Sequence, residues 1–165
     1  MRRRLGDSER SILAVQANLA VTYGEVGQLE KALSMERDVY SGWLKLDGEE
    51  HDWTIRAAMN YAASLSNLQR FEEAKVLLRK MIPVTRRALG EGHSLTFKIR
   101  ANYAATLCNA KGATLGDLRE AVDTLENLEP TVRRVFGSSH PHTEQIEDGL
   151  RKVRAALRAR ETPPR

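Results

Sequence analysis

The sequence contains a single cysteine, Cys108, among 165 residues. That excludes an intrachain disulfide and any metal site built from several thiolates. Aromatic residues make up 5% of the chain, and none is interleaved with the basic residues at either end, so no platform for stacking bases is present. No stretch approaches the ~18 apolar residues that a membrane-spanning helix needs. The opening "MRRRLGDSER" has no apolar core, because Asp7 and Glu9 follow the arginines at once, and it reads as neither a signal nor a transit peptide. A P-loop, a G-x-S-x-G elbow, a dinucleotide fingerprint and an H-E-x-x-H zinc motif are all missing. These absences predict a cytoplasmic protein that is not an enzyme, with no catalytic residues, no cofactor, and neither nucleic acid nor membrane as partner.

The histidines give the sharpest temptation to chemistry. "LGEGHSLT" at 89–96 sets a histidine beside two glycines, but no strand precedes the glycines and no Lys-Ser/Thr follows them, so phosphate cradling is not expected. "HPHTE" at 140–144 offers His140, His142 and Glu144. Helical spacing would let His140 and Glu144 converge while His142 points elsewhere. The expected role is a helix start, with Pro141 at the first helical position where its missing N–H does no harm. No metal is expected. Cys108 falls on an apolar-patterned helix and is expected to be a small buried or groove-wall residue rather than a nucleophile.

The charge is uneven. Of the net +4, residues 1–4 carry +3 and residues 151–165 carry +5, which leaves the body of the chain acidic on balance. The basic C-terminal segment is expected to be a solvated helix end.

A repeat organises the chain. "DGEEHDWT" at 47–54, "LGEGHSLT" at 89–96 and "FGSSHPHT" at 136–143 share Gly, His and Thr at one mutual spacing. Gly6, Gly48, Gly90 and Gly137 step by 42, 42 and 47, as do Asn18, Asn60, Asn102 and Gly149. "NLAVTY", "NYAASL" and "NYAATL" align without gaps at 18, 60 and 102, and the five extra residues of the third unit fall in the Gly-bearing stretch "NAKGATLGDL". Within a unit the apolar residues recur at three and four. Ile55, Ala58, Ala62, Leu65 and Leu68 mark one helix; Phe71, Ala74, Leu77, Met81 and Ala88 mark a second. Pro83 and Pro130 share one repeat position, where the first unit has Ser41 and Gly42, and predict a kink or break in the second helix of the second and third units. A copied helical hairpin of this length predicts a solenoid in which each hairpin covers its neighbour's apolar face.

The order Leu19, Ala20, Tyr23, Ala32, matched by Tyr61, Ala62, Leu65, Ala74 and by Tyr103, Ala104, Leu107, Ala121, resembles a tetratricopeptide repeat. The 42-residue period and the "LG..H..T" junction make it similar to the kinesin-light-chain-like class, over about residues 5–158. The resemblance implies an all-α, right-handed superhelical solenoid of antiparallel helix pairs with about seven helices. A single solenoid is expected over 5–160, with units at about 5–46, 47–88 and 89–135, a closing helix at 140–160, and a disordered tail at 161–165. The chain opens mid-unit without a polar cap, so a position at the C-terminal end of a longer array, or self-association through the uncapped N-terminal hairpin, is expected.

The resemblance also implies a function: a protein-interaction module that takes an extended or helical peptide segment in a concave groove lined by the first helix of each pair. The alternative is a purely structural spacer or oligomerisation segment of a longer repeat protein. The groove face of the first unit would hold Asn18 and Val21; the second, Arg56, Met59, Asn60, Ala63 and Asn67; the third, Lys98, Asn102, Ala105 and Asn109; the closing helix, Gln145. Asparagine is a mediocre helix former, so a mid-helix ladder of Asn18, Asn60 and Asn102 needs a reason. An amide offers donors and an acceptor to a peptide backbone of any sequence, and in the family the equivalent asparagines line the groove. Packing against the neighbouring hairpin is the competing reason. Arg56 and Lys98 at matching positions would suit an acidic partner.

Overall fold

The computed structural model describes residues 2–161, with side chains from residue 7 onward. The described residues form seven α-helices and no strand: α1 (Arg2–Glu25), α2 (Leu29–Asp47), α3 (Asp52–Asn67), α4 (Phe71–Leu89), α5 (Ser94–Asn109), α6 (Leu115–Phe136) and α7 (Pro141–Glu161). They fall into two compact units, one ending at Ala88 and the other beginning at Leu89. The all-α repeat of paired helices is as the period predicts. Glu161 still belongs to α7, one residue into the expected tail, and residues 162–165 lie outside the described residues.

The turns between successive repeats explain why the helices start and stop where they do. Gly48, Gly90 and Gly137 each take a positive φ, 82°, 85° and 92°, which a side-chain-bearing residue adopts only with strain. Gly92 does not, so Gly90 alone makes that turn. Three residues on, a histidine caps the next helix. Nδ1 of His51 accepts from the Trp53 N–H, Nδ1 of His93 from the Leu95 N–H, and Nδ1 of His140 from the His142 N–H. The threonine three residues further closes the loop. Thr96 Oγ1 donates to the Gly90 carbonyl at 2.8 Å and Thr143 Oγ1 to the Gly137 carbonyl at 2.7 Å. At the first turn the pattern lapses: Thr54 is buried and its hydroxyl has no partner among the described residues. The longer turn before α6 uses a capping box instead, Thr114 and Asp117 bonding each other's backbone N–H.

In the first unit α2 packs on both α1 and α3. Val39 and Trp43 of α2 meet Ala57 of α3, with Leu13 and Ala17 of α1 against them; Leu33, Leu65 and Ala74 form a second cluster that brings in α4. Trp43 stacks on Trp53 with ring centroids 5.6 Å apart. In the second unit α6 packs on both α5 and α7. Ile99, Tyr103 and Leu107 of α5, Leu118, Leu125, Leu128 and Val132 of α6, and Ile146, Leu150 and Val153 of α7 are buried there. The repeated alanines Ala20, Ala62 and Ala104, and Ala32, Ala74 and Ala121, are all buried, their small side chains allowing close helix approach.

Neither proline breaks its helix. Pro83 lies inside an unbroken α4 and Pro130 inside an unbroken α6, both exposed. The carbonyls they orphan, four residues earlier at Arg79 and Glu126, belong to exposed residues, so water can replace the lost N–H donor.

Candidate functional site

The residues expected to line a groove are all at least partly exposed. In the second unit Asn102, Ala105 and Asn109 of α5 follow one another at spacings of three and four, which stacks them along one helix face. Across from them stands α7 with Gln145. Together these four residues line a cleft of about 260 Å³, whose floor is Leu125, Ile146 and Val153. Lys98 continues the same stripe toward the start of α5 but lies outside that lining. It is close enough to His142 that its charge, after burial and before His140, helps push the imidazole below its ordinary value.

Two further lining residues matter. Gly149 holds the repeat position of the asparagines, and a Cβ placed on it would come within 3.5 Å of Leu125, so its bare backbone leaves the cleft open. Asp148 holds Lys152 at 2.6 Å and Arg151 at 2.8 Å, and the lysine's hydrogen bond in particular keeps its carboxyl below its ordinary value. The signal for Asp148 was available as an acid three and four residues before Arg151 and Lys152. Cys108 is half-buried in the same cleft wall, and burial pushes its thiol up, offset in part by the charge of Arg160. A raised thiol is a poor nucleophile at neutral pH.

In the first unit Asn18 and Val21 are exposed on α1, while Met59 and Asn60 of α3 are half-buried and Arg56, Ala63 and Asn67 are exposed. Arg56 is already engaged: its Nε donates to Asp52 Oδ2 at 2.6 Å, one helical turn away. A partner's carboxylate would have to compete with Asp52. The ladder asparagines differ from it in this respect. The backbone carbonyls of Asn18 and Asn102 accept from Thr22 and Thr106, as helix-face threonines commonly arrange, but none of the three side-chain amides bonds to another described residue.

No group of three or more potential metal ligands converges among the described residues. His140 is occupied as a cap, stacked at 4.6 Å on Phe136, with His142 set edge-on to the same ring.

The described residues thus form antiparallel helical pairs whose first helices carry small and amide side chains, a construction found in repeat proteins. Residues 54–95, spanning one full period, match the tetratricopeptide repeat family. None of the curated proteins matches the sequence. Among solved structures, BtubC (BKLC) from P. vanneervenii superposes with a TM-score of 0.53 at 18% identity, covering 95% of this chain and 68% of its own. A Podosopora anserina protein assigned as a kinesin light chain with nearly identical TPR-like repeats gives 0.53 at 18% identity over 93% of this chain and 98% of its own; a variant form of that protein gives 0.54 at 19% over 92% and 89%. The fold is that of kinesin-light-chain-like tetratricopeptide repeats. No described helix is long and apolar enough to cross a membrane.

Proposed function

We propose that this chain binds an extended or helical peptide segment of a protein partner, with the α5–α7 cleft as its principal seat. The observation that carries the reading is the set of amides around that cleft. Asn102, Asn109 and Gln145 border an apolar floor, and none of them spends its side-chain hydrogen-bonding capacity on another described residue. An amide with free donors and acceptor beside an apolar floor suits a peptide, whose backbone is polar and whose side chains are partly apolar. In the first unit Asn18, Val21, Arg56, Met59, Asn60, Ala63 and Asn67 form the corresponding face. Lys98, exposed on the same stripe of α5 as the amides, favours a carboxylate on the partner. The proposal includes the cytoplasmic setting and the unit boundaries given by the repeat.

Peptide display against the full chain tests the reading. The peptides selected should lose at least about tenfold in affinity on Asn102→Ala with Asn109→Ala, the loss expected of a few hydrogen bonds, while far-UV circular dichroism stays unchanged. Arg56→Glu with Asn60→Ala should weaken any peptide that uses the first unit. Retained affinity in both double variants would remove the groove from the account.

A second reading, self-association through the N-terminal hairpin, is favoured by one feature. Ile12, Val15, Leu19 and Val26 are exposed on α1 and its end. Adding 42 places the first three at Thr54, Ala57 and Tyr61, where α3 is packed against α2. Light scattering across a concentration series separates the readings: a rise in mass that Val15→Glu abolishes supports association, and a constant monomer mass counts against it.

A further inference from the structure

A second cleft opens between α6 and α7, about 560 Å³ in volume. Along α7, Glu147, Arg151, Arg154 and Arg158 form a stripe at spacings of four, three and four, and Arg133 of α6 faces it across an apolar floor of Leu150 and Ala155. At 3.6 residues per turn this stripe lies roughly opposite Gln145, Gly149 and Lys152 around the α7 axis. The arginine cleft and the amide cleft are therefore on opposite sides of one helix.

The guanidinium groups here are built to hold carboxylates. Arg133 reaches Glu147 at 2.6 Å and also Glu129; Arg154 reaches Glu126 at 2.7 Å; Arg151 reaches Asp148 at 2.8 Å. Arg158 has no carboxylate partner among the described residues. Arg151 can also be released without harm, because Asp148 keeps Lys152 at 2.6 Å when Arg151 leaves. Two cations one stripe apart are thus open to an incoming acid, separated by seven residues, or about 10 Å along the helix.

We propose that this cleft is a docking surface for an acidic peptide segment of a partner protein, whose carboxylates engage Arg151 and Arg158 while its apolar side chains cover Leu150 and Ala155. Charge-assisted, two-pronged contacts between guanidinium and carboxylate give such docking its specificity. The +5 carried by residues 151–165 steers an acidic segment toward it. A nucleic acid fits worse. Its phosphates follow one another without interruption, so some would face Glu126, Glu129 and Glu147 in the same wall, whereas a peptide can place its acids only where the arginines are. The surface is separate from the amide cleft and does not depend on it.

The test uses the full chain and a fluorescein-labelled alanine–glutamate peptide of about sixteen residues, some four helical turns, with its acids three and four residues apart. Fluorescence anisotropy should show binding of this peptide and none of its glutamine counterpart. Arg151→Glu with Arg158→Glu should weaken binding at least about tenfold, as expected for two lost charge-assisted contacts, with unchanged circular dichroism; the milder Arg158→Gln should weaken it less. Arg37→Glu, on the exposed side of α2, and Asn102→Ala should leave it intact. Saturating peptide should not slow alkylation of Cys108, which lies in the other cleft. The proposal is overturned by equal affinity in the Arg151/Arg158 variant, by no binding, by tighter binding of oligouridylate or of phosphatidylserine vesicles than of the peptide, or by protection of Cys108.

Discussion

Thr54, Thr96 and Thr143 occupy one repeat position and are all buried, but only the last two spend their hydroxyl on the glycine carbonyl of the preceding turn. A buried hydrogen bond contributes about 1 kcal/mol and a buried hydroxyl without one is a liability of similar size. Thr143→Val should therefore destabilise the protein by about 1 kcal/mol in urea unfolding, and Thr54→Val should be neutral or stabilising. Equal losses at the two positions would contradict the reading of this turn. Glu36 makes a second prediction at this scale. It is buried on α2, and burial raises its carboxyl above the ordinary value of 4.5, against a smaller opposing pull from a hydrogen bond with Ser64 of α3. The folded chain therefore holds that proton more tightly than the unfolded chain does. This group's contribution is most favourable below pH 4.5 and is lost as pH rises from there through the folded value. Glu36→Gln should raise the thermal midpoint near neutral pH and change it little in acid; a variant less stable than wild type at both would oppose this.

At the scale of the element, the period of 42 made the helical pairs legible, because alanines that permit close packing and glycines that permit the turn recur together in the sequence. Three features were not legible, each for a physical reason. Histidine is not among the usual caps, so the role of His51, His93 and His140 emerges only from where Nδ1 points. Pro83 and Pro130 suggested interruptions, yet exposure lets solvent satisfy the carbonyls they orphan and both helices run on. Gly149 breaks the asparagine ladder by sequence, and only the fold reveals that it opens the cleft next to Leu125. Mid-helix glycine is destabilising relative to alanine by roughly 0.5–1 kcal/mol, and the added methyl meets Leu125 at an ordinary contact distance, so Gly149→Ala should stabilise α7 by about that much. The same change narrows the cleft and should weaken its peptides; a variant less stable than the parent would show that the glycine answers a packing constraint instead.

At the scale of the whole molecule, the resemblance of the sequence to kinesin-light-chain-like repeats and the superposition on such proteins agree on the fold, while the identity of about 18% leaves the partner to be read from this chain's own surface. That surface offers two clefts of different chemistry on opposite sides of α7, one bordered by amides and one by arginines. The amide cleft carries the central claim, and the single cysteine of the chain happens to stand in its wall. Cys108 therefore reports occupancy directly. The decisive measurement is the rate at which a maleimide reagent labels Cys108 in mildly alkaline buffer, with and without a display-selected peptide. The account predicts about tenfold slower labelling at a peptide concentration about ten times the wild-type Kd, since reactivity requires an accessible thiolate, and recovery to about half the free rate or more in the Asn102→Ala, Asn109→Ala chain at the same concentration, as a Kd raised about tenfold requires. Labelling of the wild-type chain that proceeds at one rate with and without bound peptide would contradict it.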